Sequence, residues 1–248
     1  MKIAVITDVH GNLPALQAAL RTIRQEGADA VYHTGDAIGI GPIPAECLEL
    51  RLSTPGMKLI RGNHDSWFAN GLPKPTPPWM SDGELEHQKW VHSILEPEFR
   101  NTIRQWPYLI EGVFEGVRIS FLHYALTASR DDFASVVREP RPADLDRLFT
   151  DIESDLVFYG HDHWPSDLIG KARYVNPGSL GCHSEPMARF VILECDSGNY
   201  ELIMRRVPYD DRALFEQFES LEVPHRHFIY RSLFGGRNAP AEAAKNRH

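Results

Sequence analysis

The chain has 248 residues, 26 Lys and Arg against 34 Asp and Glu, a formal net charge of −8, and 42% apolar residues. This is a globular composition, which excludes disorder, collagen and coiled coil. The acidic balance argues against a general nucleic-acid binder, and no apolar run approaches the roughly 18 residues of a membrane span.

Met1–Thr7 is too short for the apolar region of a signal peptide and lacks a small-residue cleavage site, so it reads as a buried strand. Cys47, Cys182 and Cys195 cannot pair completely and form no Cys-x-x-Cys, which predicts a reducing, cytoplasmic setting. The first strand ends at Asp8-Val9-His10-Gly11-Asn12. Leu13, Leu16, Leu20 and Ile23 then fall on one helix face, with Asn12 as N-cap and Gly27 as stop. A strand over 30–34 ends at Gly35-Asp36. A short helix at 45–52 leads to a strand at 57–61, which ends at Gly62-Asn63-His64-Asp65. This βαβαβ order predicts an α/β protein with a parallel sheet, whose ligands bind at the carboxyl ends of strands.

Residues 66–107 break the rhythm. Pro73, Pro75, Pro77 and Pro78 precede a helical stretch at 82–95 and a shorter one ending near Trp106. This is a helical, Pro- and Trp-rich insertion over the sheet edge, either a cap near the site or a packing layer. From 107 the pattern turns antiparallel, with strands at 108–114 and 117–123 around Glu115-Gly116. A helix at 142–150 precedes a strand at 156–159, which ends at Gly160-His161-Asp162-His163. Short strands at 167–169 and 172–175 lead to Asn176-Pro177-Gly178-Ser179. A hairpin over 189–195 and 200–205 and a helix at 210–218 follow. Residues 1–234 make one domain, and Gly235–His248 predicts a frayed tail.

Five strand ends carry metal-type ligands: Asp8 with His10, Asp36, Asn63 with His64, His123, and His161 with His163. Residues i and i+2 of a strand point to the same side, so Asp8 and His10 can aim at one point, and so can His161 and His163 where strand geometry persists into the loop. Singly, each motif is an ordinary turn or a surface pair. Together, in this order and all at strand ends, they predict a metal site. Carboxylate, amide and imidazole without thiolate suit Mn, Fe, Zn or Ni rather than structural zinc, and do not choose among them.

The order Asp-x-His, Gly-Asp, Gly-Asn-His-Asp, strand-end His and Gly-His-x-His is similar to the signature of the calcineurin-like metallophosphoesterase superfamily. Asn176-Pro177-Gly178-Ser179-Leu180-Gly181 resembles a segment of its small bacterial and archaeal phosphodiesterase branch. The resemblance covers residues 1–65 and 117–205, not 66–107 or the tail. It implies a four-layer α/β/β/α sandwich of two mixed sheets with helices outside. It implies that Asp8, His10 and His163 hold one divalent ion, that Asn63, His123 and His161 hold a second, and that Asp36 bridges both. His64 would be catalytic, stabilising the transition state or protonating the leaving oxygen. The implied reaction is hydrolysis of a phosphodiester by in-line attack of a metal-bridging hydroxide. Two divalent ions against Asp8, Asp36 and a hydroxide leave about one positive charge to attract phosphate.

The substrate side is less constrained. Asn63, His64, Arg61 and Tyr124 are candidates to touch substrate, Tyr124 standing where the family often has Gly. Cys182-His183 stands where many relatives place Arg after the Asn-Pro-Gly-Ser segment. Trp67, Trp79 and Trp90 are possible stacking faces for a small, nucleotide-like ester, or else core residues. His33 is either an outer support of the ligands or a core histidine. Asp65 is expected to play a structural part, and Asp162 to be a surface carboxylate. A phosphomonoesterase, including a protein phosphatase, needs more cations, and only Arg61 and Arg130 are available. A dinucleotide polyphosphate hydrolase is a further alternative. A scaffold of the same fold has no need of His64. No long nucleic acid and no membrane is expected as a partner, and nothing in the sequence specifies an oligomeric state.

Overall fold

The structure, a computed structural model, describes residues 1–129 and 132–240. The first half follows the predicted βαβαβ order: β1 (Lys2–Ile6), α1 (Leu13–Gln25), β2 (Ala30–His33), α2 (Pro44–Leu52) and β3 (Met57–Leu59). Helix α1 starts where Asn12 accepts the Ala15 N–H at 3.1 Å, and the chain leaves it through Gly27 at φ +71°. Strands β1, β2 and β3 pair in parallel. The hairpin of β9 (Met187–Asp196) and β10 (Asn199–Pro208) joins them antiparallel through β1, giving the order β10-β9-β1-β2-β3.

A second five-stranded sheet runs β4-β5-β6-β8-β7. Its strands are β4 (Leu109–Phe114), β5 (Val117–Leu122), β6 (Leu156–Phe158), β7 (Ser166–Ile169) and β8 (Arg173–Asn176). Strands β5, β6 and β8 are parallel, and β4 and β7 flank them antiparallel. Alternation along the strands decides what each face meets. Ile3 and Val5 of β1 point at the second sheet, packing with Ile119, Phe121, Phe158 and Leu193. Ala4 and Ile6 point the other way, onto Leu16, Ala19 and Ile23 of α1. On the far side Val157 and Tyr174 meet Leu145 of α6 (Pro142–Leu148) and Phe149. The result is two mixed sheets face to face with helices outside.

Residues 66–107 are helical in the predicted places, as α4 (Asp82–Ile94) and α5 (Glu98–Arg104). A third helix, α3 (Asn63–Asn70), was not expected. Gly62-Asn63-His64-Asp65 reads as a turn in sequence, but Asp65 accepts the Gly62 N–H at 3.0 Å and so starts a helix. Arg100 and Arg104 of α5 donate to the Phe68 and Ala69 carbonyls at its other end. Phe68, Ala69, Val91, Leu95, Ile103 and Trp106 bury together against Leu48 of α2.

The C-terminal part adds α7 (Arg212–Ser220) and an unpredicted α8 (Arg226–Leu233), joined by the packed rings of Phe215, Phe218, Tyr230 and Phe234. Residues 235–240 do not fray. Gly236 donates to the Tyr230 carbonyl, Arg237 pairs with Asp211, and Ala239 packs on the ring cluster. Residues 241–248 lie outside the described residues. Among the described residues no helix is long and apolar enough to cross a membrane.

Phe121 is the centre of the sandwich: it stacks on Tyr32 at 3.9 Å and on Phe158 at 5.4 Å, joining the two sheets. Phe121→Ala is expected to cost about 3–5 kcal/mol by cavity formation. A urea unfolding curve should show the midpoint falling with little change in slope.

Candidate metal centre

The ends of β1, β2 and β3 in one sheet and of β5 and β6 in the other lie along the same edge of the sandwich, and the predicted ligands meet there. Asp8, His10, Asp36, His161 and His163 all hold left-handed backbone, with φ between 48° and 75°. Asp and His tolerate that region better than branched residues, and it folds each loop back sharply over the strand it leaves. The condition under which His161 and His163 would aim at one point, strand geometry carried into the loop, is not met. Extended geometry does not persist past β6, and the two rings go to different ligand groups.

In the first group Asp8 Oδ1 lies 3.6 Å from His10 Nε2 and 3.5 Å from His163 Nε2, and those two nitrogens are 2.8 Å apart. In the second, His123 Nε2 lies 3.0 Å from Asn63 Oδ1, 3.2 Å from His161 Nδ1 and 3.3 Å from Asp36 Oδ2. Asp36 Oδ2 is also 3.8 Å from His10 Nε2, which places this carboxylate between the groups. His64 Nε2 faces the same oxygen at 4.0 Å. His64 thus forms a third close group with His10 and Asp36.

The donor set fits divalent cations. Asp8 Oδ1 is buried and has no hydrogen-bond partner. Its Oδ2 accepts from the Thr7 hydroxyl and the His161 N–H, and Asp36 Oδ1 accepts from the His64 N–H. Each carboxylate is therefore anchored by one oxygen and offers the other. His10 Nδ1 donates to the Ile38 carbonyl at 3.1 Å and His123 Nδ1 to the Thr34 carbonyl at 2.9 Å. Those bonds fix the tautomer and turn the Nε2 lone pairs inward, as metal-binding histidines require.

The electrostatics of the metal-free cluster follow from burial and crowding. Burial opposes charge on Asp8 and Asp36, yet the surrounding histidines outweigh it and hold both carboxyls well below the ordinary range. Burial likewise opposes charge on His123, but Asp36 and Asp8 overcome it and push the imidazole up to about 9. His163 and His64 go the other way, to about 4 and about 3, because burial dominates and neighbouring histidines repel a further proton.

The ligand loops are tied by polar groups that carry no metal-type role in sequence. Asp65, fully buried, accepts N–H bonds from Asp36, Ala37 and Gly62 at 2.8, 3.1 and 3.0 Å. It is structural, as expected, and fixes the Asp36 loop to the start of α3. His33 is a buried core residue beside the equally buried Arg51, whose Nη1 lies 3.2 Å from its Nε2. Ser179 donates to the His163 and Asp8 carbonyls, from its N–H and its hydroxyl, and Leu180 N–H to the Thr7 carbonyl, so the Asn-Pro-Gly-Ser segment links the β1 and β6 loops. Asp162 is not the surface carboxylate expected. It accepts from Asn176 at 2.5 Å and from the Trp164 N–H at 3.0 Å, and burial pushes it up to about 7.

Three substrate candidates change place. Tyr124 is buried, and its hydroxyl accepts the Val137 N–H at 2.9 Å with the ring behind His161, so it packs rather than meets substrate. The Arg61 guanidinium lies over the Tyr108 ring at 4.2 Å. Trp90 packs between the helices instead of lining the site. Arg130 lies outside the described residues. Trp67 does reach the site, 4.8 Å from the His64 ring, and Trp79 stacks on it at 5.8 Å with 58% of its surface exposed. Sequence reasoning missed Gln88 of α4, whose Nε2 lies 2.9 Å from His64 Nδ1. A lone glutamine in a helix carries no motif. It missed Gly39 as well, where a Cβ would sit 2.3 Å from His64 Nδ1.

A metal takes the lone pair that a proton holds. With His123 raised to about 9, the metal-free protein is protonated there at neutral pH, so an ion bound at His123 would have to expel that proton. Adding Mn²⁺ or Zn²⁺ to chelator-stripped, weakly buffered protein at neutral pH should acidify the solution. The release should fade as the starting pH rises past about 9.

A family model described as a calcineurin-like phosphoesterase superfamily domain matches residues 1–198. An uncharacterized protein of Methanocaldococcus jannaschii is 26% identical over 251 residues, covering 95% of this chain and 98% of that protein. Phosphodiesterase YfcE of Escherichia coli is 26% identical over 191 residues, covering 73% of this chain and 79% of its own. The crystal structure of a hypothetical protein from Pyrococcus horikoshii shares the fold, with a TM-score of 0.78 at 21% identity over 94% of this chain and 97% of that one. The sandwich, the ligand edge and the match over residues 1–198 agree: the chain belongs to the calcineurin-like phosphoesterase superfamily of metal-dependent phosphoric ester hydrolases.

Proposed function

We propose that the chain is a dinuclear metal-dependent phosphodiesterase acting on small esters, in one catalytic domain over 1–234. The observation that carries this reading is the placement of the Asp36 carboxylate between two buried donor groups, 3.3 Å from His123 and 3.8 Å from His10. Asp8, His10 and His163 would hold one ion, Asn63, His123 and His161 the other, and Asp36 would bridge them. Mn is the ion we favour, and Fe, Zn and Ni suit the same donors. Two bound ions would supply a nucleophilic hydroxide at neutral pH and polarise the phosphoryl group.

The protein's own side chains do the rest. Asn63 is a neutral ligand, which keeps the centre cationic toward phosphate. The left-handed loops hold the donors in place before substrate arrives, so little reorganisation is needed. His64 stands beside the cluster and would give a hydrogen bond or a proton to an oxygen of the reacting phosphate. The diester preference is supported by scarce cations, since Arg61 lies on Tyr108, and by the YfcE relative's being a phosphodiesterase. The exposed Trp79 on Trp67, next to His64, favours an ester with a planar, nucleotide-like group on that side. Three buried, unpaired cysteines suit a cytoplasmic enzyme.

Chelator-stripped protein should hydrolyse an aryl phosphodiester only after Mn²⁺ is restored, and faster than the matching monoester. Preference for the monoester would sink the diester reading. His64→Ala should keep both ions and lose about 100-fold or more in turnover, by metal analysis and steady-state kinetics. Asp36→Asn should weaken both sites together, and two retained ions with full activity would contradict the bridge. Trp79→Ala should lower kcat/KM about 10-fold for nucleotide esters and leave small alkyl esters unchanged.

A further inference from the structure

We propose that Gln88, on the inserted helix α4, is the positioning residue that fixes the tautomer of His64, a role that rests on His64 acting in the reaction as read above. Gln88 is 2% exposed, and its Nε2 lies 2.9 Å from His64 Nδ1. An amide nitrogen has hydrogens and no free lone pair, so it donates. Nδ1 therefore holds the lone pair, and the neutral ring carries its hydrogen on Nε2. Nε2 is the nitrogen that faces the ligand cluster, 4.0 Å from Asp36 Oδ2. The ring thus presents an N–H to the space beside the cluster, where a phosphate oxygen accepts it. The opposite tautomer would present a lone pair to that oxygen.

Of the ring's other neighbours, the Asp36 carboxylate favours a hydrogen on Nε2 from 4.0 Å, beyond hydrogen-bond reach, and the rest set the ring's place but not its polarity. Gly39 covers it so closely that a Cβ would collide, and Trp67 and His10 approach at ring distances of 4.8 and 5.1 Å. None of these contacts chooses which nitrogen is protonated. Gln88 does, and it acts from a braced helix. Val91 and Leu95 bury with Phe68 and Ala69 of α3, and His87 Nδ1 donates to the Pro224 carbonyl at 3.2 Å. The 66–107 segment is on this account a cap beside the site and not a mere packing layer. It is a wall that contributes one oriented hydrogen bond to the reacting centre.

The first test uses the full-length, metal-stripped protein and ¹⁵N NMR of the imidazole nitrogens, with His64→Ala to identify the signal. The hydrogen is expected on His64 Nε2; a hydrogen on Nδ1 overturns the proposal, because the amide would then be accepting. The second test is a cycle of Gln88→Met, His64→Ala and the double variant on bis(p-nitrophenyl) phosphate with Mn²⁺. Gln88→Met should lower kcat about 10- to 100-fold with KM and metal content little changed, and cost nothing further in the His64→Ala background. Equal losses in both backgrounds, or an unchanged kcat, overturn it. An enzyme inert toward every ester fails the phosphodiesterase reading instead, and the NMR result still decides the tautomer.

Discussion

Two carboxylates that have left water, Asp8 and Asp36, are the constraint on which the rest of the molecule depends. An ionised carboxylate is expensive to bury without positive charge close by. The fold surrounds this pair with imidazoles and then leaves Asp8 Oδ1 without any hydrogen-bond donor. A proton on His123, pushed up to about 9 by the same two carboxylates, answers part of the need, and His10 is shifted in the same direction. Cations at the proposed site would answer it better, because one ion meets several lone pairs at once.

Capturing that charge from five separate loops requires the loops to agree in position. Parallel strands help, since their carboxyl ends lie side by side, and two facing sheets bring two such rows together. The left-handed turns then fold each ligand back over its strand. Asp65 and the Asn-Pro-Gly-Ser segment do the joining, one within the first sheet and one between the sheets. Both bond to backbone groups of the loops, so they fix the loops without occupying the candidate ligand atoms.

Much of this could be read before any coordinates. Alternating or β-branched runs located the strands, and polar residues past their ends located the side chains that the fold gathers at one edge, because strand ends are local features. His161 and His163 show the limit. Their spacing would give one target in a continuing strand, but β6 ends at Phe158 and the two rings reach different groups. Helix α3 was hidden because its start imitates a turn, and its cap is the same Asp65 that holds the Asp36 loop. Helix α8 was hidden because it is short, follows a left-handed His225, and its apolar residues gain their meaning only from rings on α7. Gln88 was invisible for a plainer reason: its importance lies in one contact with a residue 24 positions earlier, and no periodicity encodes it.

The bracing of α4 has a consequence for how the molecule can fail. The superfamily match ends at residue 198, yet α4 leans on the chain beyond it, through His87 on the Pro224 carbonyl and through Trp90, which packs against both helical clusters. On the reading proposed above, ion capture and turnover would then depend on different parts of the chain. The candidate ligands sit at the ends of sheet strands, whereas Gln88, bonded to the histidine beside them, sits on a helix braced by the end of the chain. Loosening α7 or α8, remote from every candidate ligand, would reach turnover through α4 as well as stability through their own ring cluster.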